Sequence, residues 1–207
     1  CLGGSSFACT DLGWYYERGE GVPKDPARAA ELYKKGCDGT SCQSPNLRGC
    51  INLALSYRDG IGMAPDPAQA FEILRATCVN NPDISNDESR ETRAHACSLL
   101  GSMYLTGNGV EQDNAAGLTF SHQGCGGGDP FGCFNAGVIF ANGLGVDVDM
   151  AKAADYYEDA CDYDDGESCY NLSLLYKSGS GVEADADHAA ELSGKACELG
   201  FDQACGR

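Results

Sequence analysis

The chain has 207 residues, 43% of them hydrophobic and 22% charged, and 31 Asp and Glu against 14 Lys and Arg give a net charge of −17. That composition is globular and excludes a disordered or collagen-like chain. No run approaches 18 apolar residues, which excludes a transmembrane helix, and a surface this acidic with no basic patch excludes a nucleic-acid binder. Thirteen cysteines point either to disulfides made in an oxidising compartment or to a metal, and their spacing has to decide. No basic, then apolar, then small-residue leader opens the chain, as expected where a signal peptide has already been removed.

Five segments read alike: 9–21, 50–62, 97–109, 133–145 and 169–181. Each opens on a cysteine and closes on G-x-G. An apolar residue follows the second glycine (Val22, Met63, Val110, Val146, Val182), and three residues later stands an aspartate (Asp25, Asp66, Asp113, Asp149, Asp185). Twelve residues after each aspartate comes a second cysteine: Cys37, Cys78, Cys125, Cys161 and Cys197. The opening cysteines are spaced 41, 47, 36, 36 and 36 residues apart up to Cys205, a period of 36 with insertions of 5 and 11. Both insertions fall between a closing cysteine and the next opening one, which places them in a tolerant surface loop. The repeat units are 9–37, 50–78, 97–125, 133–161 and 169–197, with partial units at both ends, in one domain over 1–207.

Each unit reads as a helical hairpin. Helix A carries apolar residues at helical spacing, such as Leu172, Leu175 and Tyr176. It ends at a glycine (Gly19, Gly60, Gly107, Gly143, Gly179) because a helix C-terminus favours a left-handed residue. Helix B starts at the recurring aspartate, whose carboxylate accepts from free amides at the positive end of the helix dipole. Pro26 and Pro67 follow as first helical residues, where a missing N–H costs little. Small residues in helix B (Ala29, Ala70, Ala153, Ala189) let the two helices approach. The tyrosines Tyr16, Tyr57, Tyr104 and Tyr176 are expected in the core. A single hairpin cannot bury its apolar face, whereas stacked hairpins can. The expected fold is therefore all-α, a right-handed α/α solenoid whose concave face is lined mainly by A helices.

The pattern C-x-N-L-G-x-L-Y-x-x-G-x-G-V, followed by Asp, Lys-Ala, Tyr-Tyr and Ala-Cys, resembles the Sel1-like repeat, a relative of the tetratricopeptide repeat. The cysteine placement resembles the Helicobacter cysteine-rich protein family within that class. The resemblance runs from Cys1 to Cys205. Departures are Ala54 and Ser173 in place of the helix A glycine, Ala136 in place of the leucine, and the two long loops. In that family the cysteine ending helix B pairs with the one opening the next helix A. The resemblance therefore implies the bridges Cys1–Cys9, Cys37–Cys50, Cys78–Cys97, Cys125–Cys133, Cys161–Cys169 and Cys197–Cys205, and clamps the solenoid with disulfides. Closing a loop of nine residues contributes roughly 2.5 kcal/mol in the chain-entropy model. Cys42 is left as a free thiol; it stands eight residues before Cys50, but Cys37 holds the position twelve after its aspartate that all five units share. Its sharper readings are an intermolecular bridge or a reactive site. Cys1 has two readings: the end of an upstream helix B paired with Cys9, or the lipid-anchored first residue of a mature lipoprotein, which leaves Cys9 without that partner. Only Gly206 and Arg207 follow Cys205, as expected of a fragment of a longer protein.

Other chemistry finds little footing. Structural zinc needs close-set ligands such as C-x-x-C; none occurs, and His95, His122 and His188 are scattered. No metal and no cofactor are expected. The G-x-G turns follow helices, not the strand a dinucleotide or P-loop fingerprint requires, so they read as helix-ending turns. The acidic run 162–167 hints at calcium but places its glycine fifth rather than sixth, and reads as a solvated loop. The inserted loop 80–92 is polar and reads as exposed. Family members have been described as penicillin-binding or β-lactamase-like, yet no S-x-x-K, G-x-S-x-G or H-E-x-x-H occurs, so no catalytic residue is assigned.

Binding has better support. Two residues after each opening cysteine stand Asp11, Asn52, Leu99, Asn135 and Asn171, a position that faces the concave groove in related solenoids. An amide there can hold the N–H and C=O of an extended peptide, or it can order the stack by bonding to a neighbouring repeat. Trp14, Arg18, Arg58, Tyr170 and Lys177 add aromatic and basic groups. The expected function is a non-enzymatic secreted or periplasmic scaffold that binds a peptide or protein segment with micromolar-class affinity, without nucleic acid. The net charge favours a basic partner. Alanine at Asn135 and Asn171 is expected to weaken binding without unfolding the chain. Two alternatives are a β-lactam-binding enzyme and a haem- or redox-linked assembly factor.

Overall fold

The computed structural model describes residues 5–38, 46–80 and 87–206. They form ten α-helices: α1 (Ser6–Arg18), α2 (Pro26–Asp38), α3 (Leu47–Asp59), α4 (Pro67–Val79), α5 (Asp87–Thr106), α6 (Asn114–Gly126), α7 (Pro130–Asn142), α8 (Met150–Asp162), α9 (Gly166–Ser178) and α10 (Ala186–Glu198). A 3-10 turn, Asp202–Ala204, follows. Among the described residues there is no strand, and no helix is long and apolar enough to cross a membrane.

The hairpin turns explain the repeat. Gly19, Gly60, Gly143 and Gly179 end their helices at φ between 66° and 78°, and each donates its N–H to the carbonyl four residues back. The recurring aspartate then acts twice. Its N–H donates to the carbonyl of Tyr16, Tyr57, Tyr104, Phe140 or Tyr176 at 2.7–3.0 Å. Its carboxylate accepts from the first free amides of the next helix, as Asp25 does from Arg28, Asp66 from Gln69 and Asp149 from Lys152. One residue thus closes the loop and caps the helix.

The second glycine of each G-x-G has a separate task, which the sequence reading did not assign. A Cβ added at Gly62 would meet Pro26 O at 2.1 Å, at Gly109 Pro67 O at 2.2 Å, and at Gly181 Met150 C at 2.3 Å. Each packs against the first turn of the preceding helix B, closer than any side chain allows. Gly21, in the first turn, meets nothing within 4 Å.

The residues divide into two compact units. The first holds α1 to α4, the start of α5 to Ala96 and the turn Thr106–Gln112. Its core includes Ala29, Tyr33 and Leu53, with Tyr16, Tyr57, Met63 and Ile73 against them. The second holds Cys97–Leu105 and everything from Asp113 onward. Its core gathers Ala153, Ala154, Tyr157, Cys161, Cys169, Leu172, Leu192 and Ala196, with Tyr176 packed on it. Within hairpins, volume is complementary. Helix A offers Gly13 or Gly137 where the Tyr33 or Tyr157 ring of helix B lies, at 2.7 and 2.6 Å from an added Cβ. At the same register α3 carries buried Ala54 and α4 buried Leu74, which accounts for that departure from the glycine pattern.

Disulfides join α2 to α3 at Cys37–Cys50, α6 to α7 at Cys125–Cys133 and α8 to α9 at Cys161–Cys169, and Cys197–Cys205 ties α10 to the residue after the 3-10 turn, with Cα atoms 4.5–4.9 Å apart. Cys9, Cys78 and Cys97 are also disulfide-bonded. The crossings are made close by small residues beside the cysteines. A Cβ on Gly36 or Gly49 would meet Thr10 Oγ1 at 2.6 Å, and one on Gly132 would meet the Cys125 amide at 2.6 Å. Cys1 and Cys42 lie outside the described residues.

Candidate peptide groove

In the first unit, α1 and α3 run side by side. A groove of about 300 Å³ lies along them, lined by Thr10, Asp11, Trp14, Tyr15, Arg48 and Asn52. Helical periodicity builds it. Asp11 and Tyr15, Thr10 and Trp14, and Arg48 and Asn52 are each four apart, one turn along the same face.

Its two walls differ in chemistry. The α1 wall is aromatic: the Trp14 and Tyr15 rings meet edge to face with centroids 5.3 Å apart. Tyr15 is 45% exposed, and Phe7, two turns earlier, is 52% exposed. The Arg18 guanidinium lies 4.5 Å from the Trp14 ring centroid, a cation–π contact that extends the aromatic wall with a positive end. The α3 wall is polar. Arg48 lies 3.7 Å from Asp11 and 3.9 Å from Glu88, both contacts exposed. Thr10 is buried and its hydroxyl donates to Ser6 O at 3.0 Å, so it serves as floor.

Tyr33 on α2 donates its hydroxyl to Glu17 Oε2 at 2.5 Å. Burial first, then that bond and the Glu17 charge, push the phenol pKa up, against smaller lowering by Arg18 and Asn52. The phenol therefore keeps its proton throughout the working pH range.

The remaining sequence-predicted residues fall elsewhere. Arg58 is turned to Asp59, with Nε and Nη2 donating at 2.7 and 2.8 Å. That bond, ahead of opposing burial, holds the Asp59 carboxyl below its ordinary range. In the second unit Asn135 is 7% exposed and its Nδ2 has no hydrogen-bond partner among the described residues. Tyr170 packs on Phe201 with centroids 5.3 Å apart, Asn171 is half-buried and Lys177 is exposed. The structure thus brings together Asp11, Trp14 and Asn52, with Arg18 on the Trp14 ring, and leaves Arg58, Asn135, Tyr170, Asn171 and Lys177 outside this groove.

Tyr15 and Arg48 are groove residues the sequence reading missed. The signal for Arg48 was present, because it precedes Asn52 by one helical turn. As for metals, Cys125, Cys133 and Asp159 place ligand atoms within 4.8 Å of one another. The two sulfurs are joined in a disulfide, which leaves a single carboxylate as anionic donor.

Comparison with known proteins accords with this architecture. The chain is 24% identical to a Sel1 repeat protein from Oxalobacter formigenes over 97% of its own length and 73% of that chain, with a TM-score of 0.78. It is 26% identical to c5321, a protective antigen of uropathogenic Escherichia coli strains displaying an SLR fold, over 96% of its length and 39% of that chain, with a TM-score of 0.77. Helicobacter pylori cysteine-rich protein B is 31% identical over 55% of this chain and 86% of that one, with a TM-score of 0.48. Comparison with curated proteins gives no match. The Sel1 repeat model matches residues 6–41, 47–78, 94–129, 130–162 and 166–201. The chain belongs to the Sel1 repeat family.

Proposed function

We propose that this protein is a non-enzymatic, extracytoplasmic scaffold that holds an extended peptide or protein segment in the groove between α1 and α3. The observation that carries the reading is the pairing of an aromatic wall, half-buried Trp14 and exposed Tyr15, with a polar wall, Arg48 and Asn52. An extended segment needs both: apolar surface for its side chains and an amide for its backbone. The disulfides support a location outside the reducing cytosol, and the net charge of −17 supports a basic partner. In the second unit, the buried Asn135 with its unpartnered Nδ2 and the half-buried Asn171 are the further residues we propose to contact a segment.

Trp14 is the chain's one tryptophan, so groove occupancy reads directly in intrinsic fluorescence. Selection from a phage-displayed random dodecapeptide library should yield peptides that shift the emission with micromolar-class affinity. Arg18→Ala should preserve the emission signal and weaken binding severalfold. Trp14→Ala, followed by labelled-peptide anisotropy, should weaken it at least ~tenfold, as loss of an aromatic anchor does. Peptides that bind Trp14→Ala as tightly as the parent, or a selection that yields none, overturn the reading. Turnover of a chromogenic β-lactam overturns its non-enzymatic part.

A further inference from the structure

The sequence holds two Asn-Gly pairs, Asn108–Gly109 and Asn142–Gly143. Both stand at hairpin turns, but at different registers, and the fold treats them differently. Asn142 ends α7 and Gly143 is the first glycine of its G-x-G. The Gly143 N–H donates to Ile139 O, and the Asn142 amide donates to Val138 O at 2.8 Å. Gly109 is the second glycine of its turn, exposed, with φ 77°. Among the described residues, neither the Gly109 N–H nor the Asn108 side chain has a hydrogen-bond partner.

We propose that Asn108 is a site of self-modification, at which the main chain converts its own side chain with water as the only co-reactant. The Gly109 nitrogen loses its proton and attacks Asn108 Cγ. A C–N bond forms there, the bond to the side-chain nitrogen breaks, and ammonia leaves behind a succinimide ring. Water then opens the ring at either carbonyl. One opening leaves an aspartyl side chain on a normal backbone. The other leaves an isoaspartyl linkage, with one more methylene in the main chain. One water enters, one ammonia leaves, and nothing is oxidised or reduced.

The reaction needs an amide nitrogen with no acceptor holding its proton, a carboxamide free to turn onto it, and no Cβ on the following residue to block the approach. Asn108–Gly109 offers all three. At Asn142–Gly143 two hydrogen bonds have to break first, each worth about 1 kcal/mol. At the register of Asn108 the other turns carry Glu20, Ile61, Leu144 and Ser180, so only this turn has a carboxamide there. The product falls on a packed contact. A Cβ on Gly109 would meet Pro67 O at 2.2 Å, so ring closure draws on molecules whose turn has lifted locally from α4. The added methylene of the isoaspartyl form then leaves no room for Gly109 to return to its place against the first turn of α4.

The oxidised full chain, aged in mildly alkaline buffer, provides the test. Peptide mass spectrometry should show a gain of one dalton at residue 108, at least ~tenfold faster than at Asn142, as the two bonds holding the latter require. In urea with a dithiol reductant the two pairs should react at the same rate. Isoaspartyl methyltransferase with labelled S-adenosylmethionine should label the aged parent, and isoelectric focusing should show a new acidic band. Asn108→Gln, whose ring would have to be six-membered, should show neither. Backbone amide exchange at Gln69 and Ala70, in the first turn of α4, should quicken in the aged parent and not in aged Asn108→Gln. No gain at residue 108, or equal rates at the two pairs in the folded chain, overturns the proposal. A difference that persists in urea belongs to local sequence and overturns the structural argument. Unchanged exchange in α4 overturns the claim that the product disturbs the contact.

Discussion

Asp164 has φ 62°, whereas the residues at its register, three after Cys125 and three after Cys197, are Gly128 at 89° and Gly200 at 88°. A side chain in the left-handed region clashes with its own backbone, and glycine does not. Asp164→Gly should therefore stabilise the protein by roughly 0.5–1 kcal/mol, net of the extra entropy glycine gives the unfolded chain. The Lys195 contact it would lose, 3.5 Å and largely exposed, adds little. A urea midpoint that falls in the variant would refute this. The residue also shows what sequence conceals. The acidic run 162–167 reads as a solvated loop, yet its members have separate backbone duties: Asp164 makes the turn and Asp165 caps α9 by accepting from the Ser168 amide at 2.7 Å. Composition reports charge, whereas such duties depend on dihedral angles that composition does not encode.

Among elements, the hairpins were legible because their signals are local. A glycine at the end of helix A, an aspartate at the start of helix B and a 36-residue period are all contained within one repeat. The second glycine of each turn was not, because its reason lies in the repeat before. At Gly181 a Cβ would press on the Met150 backbone at 2.3 Å and also stand at φ 76°. Gly181→Ala should cost about 2–4 kcal/mol, steric and dihedral terms together. Gly21→Ala, with nothing within 4 Å, should cost about 1 kcal/mol, from its dihedral alone. Chemical denaturation of both variants checks the contrast, and equal losses would mean that contact with the preceding helix B contributes nothing. The groove was half legible for a related reason. Position two after the cysteine flagged Asp11 and Asn52, and Arg48 stands one turn before Asn52, but that these residues share one groove with Tyr15 depends on the packing of α1 and α3.

For the whole molecule, the bridges set the terms. A nine-residue loop closed by a disulfide contributes roughly 2.5 kcal/mol, and several such loops match the 5–15 kcal/mol that holds a typical domain. Intact mass after alkylation should show one blocked thiol, assigned to Cys42, before reduction and thirteen after it. Several free thiols in the unreduced protein would overturn the clamp and bring metal or haem ligation back into question. Loss of peptide binding on reduction should accompany loss of the helical signal. The placement of the bridges has another consequence, for survival among proteases. Three of them close the connector between one hairpin and the next and Cys197–Cys205 closes the turn after α10, with the paired cysteines eight positions apart in sequence for three of the four and thirteen for Cys37–Cys50. A cut between Cys161 and Cys169 severs the chain without severing the molecule, because the sulfurs hold the new ends on either side of the nick. Damage of this kind accumulates without releasing fragments, and a nicked copy keeps its helices in register until a reductant reaches it.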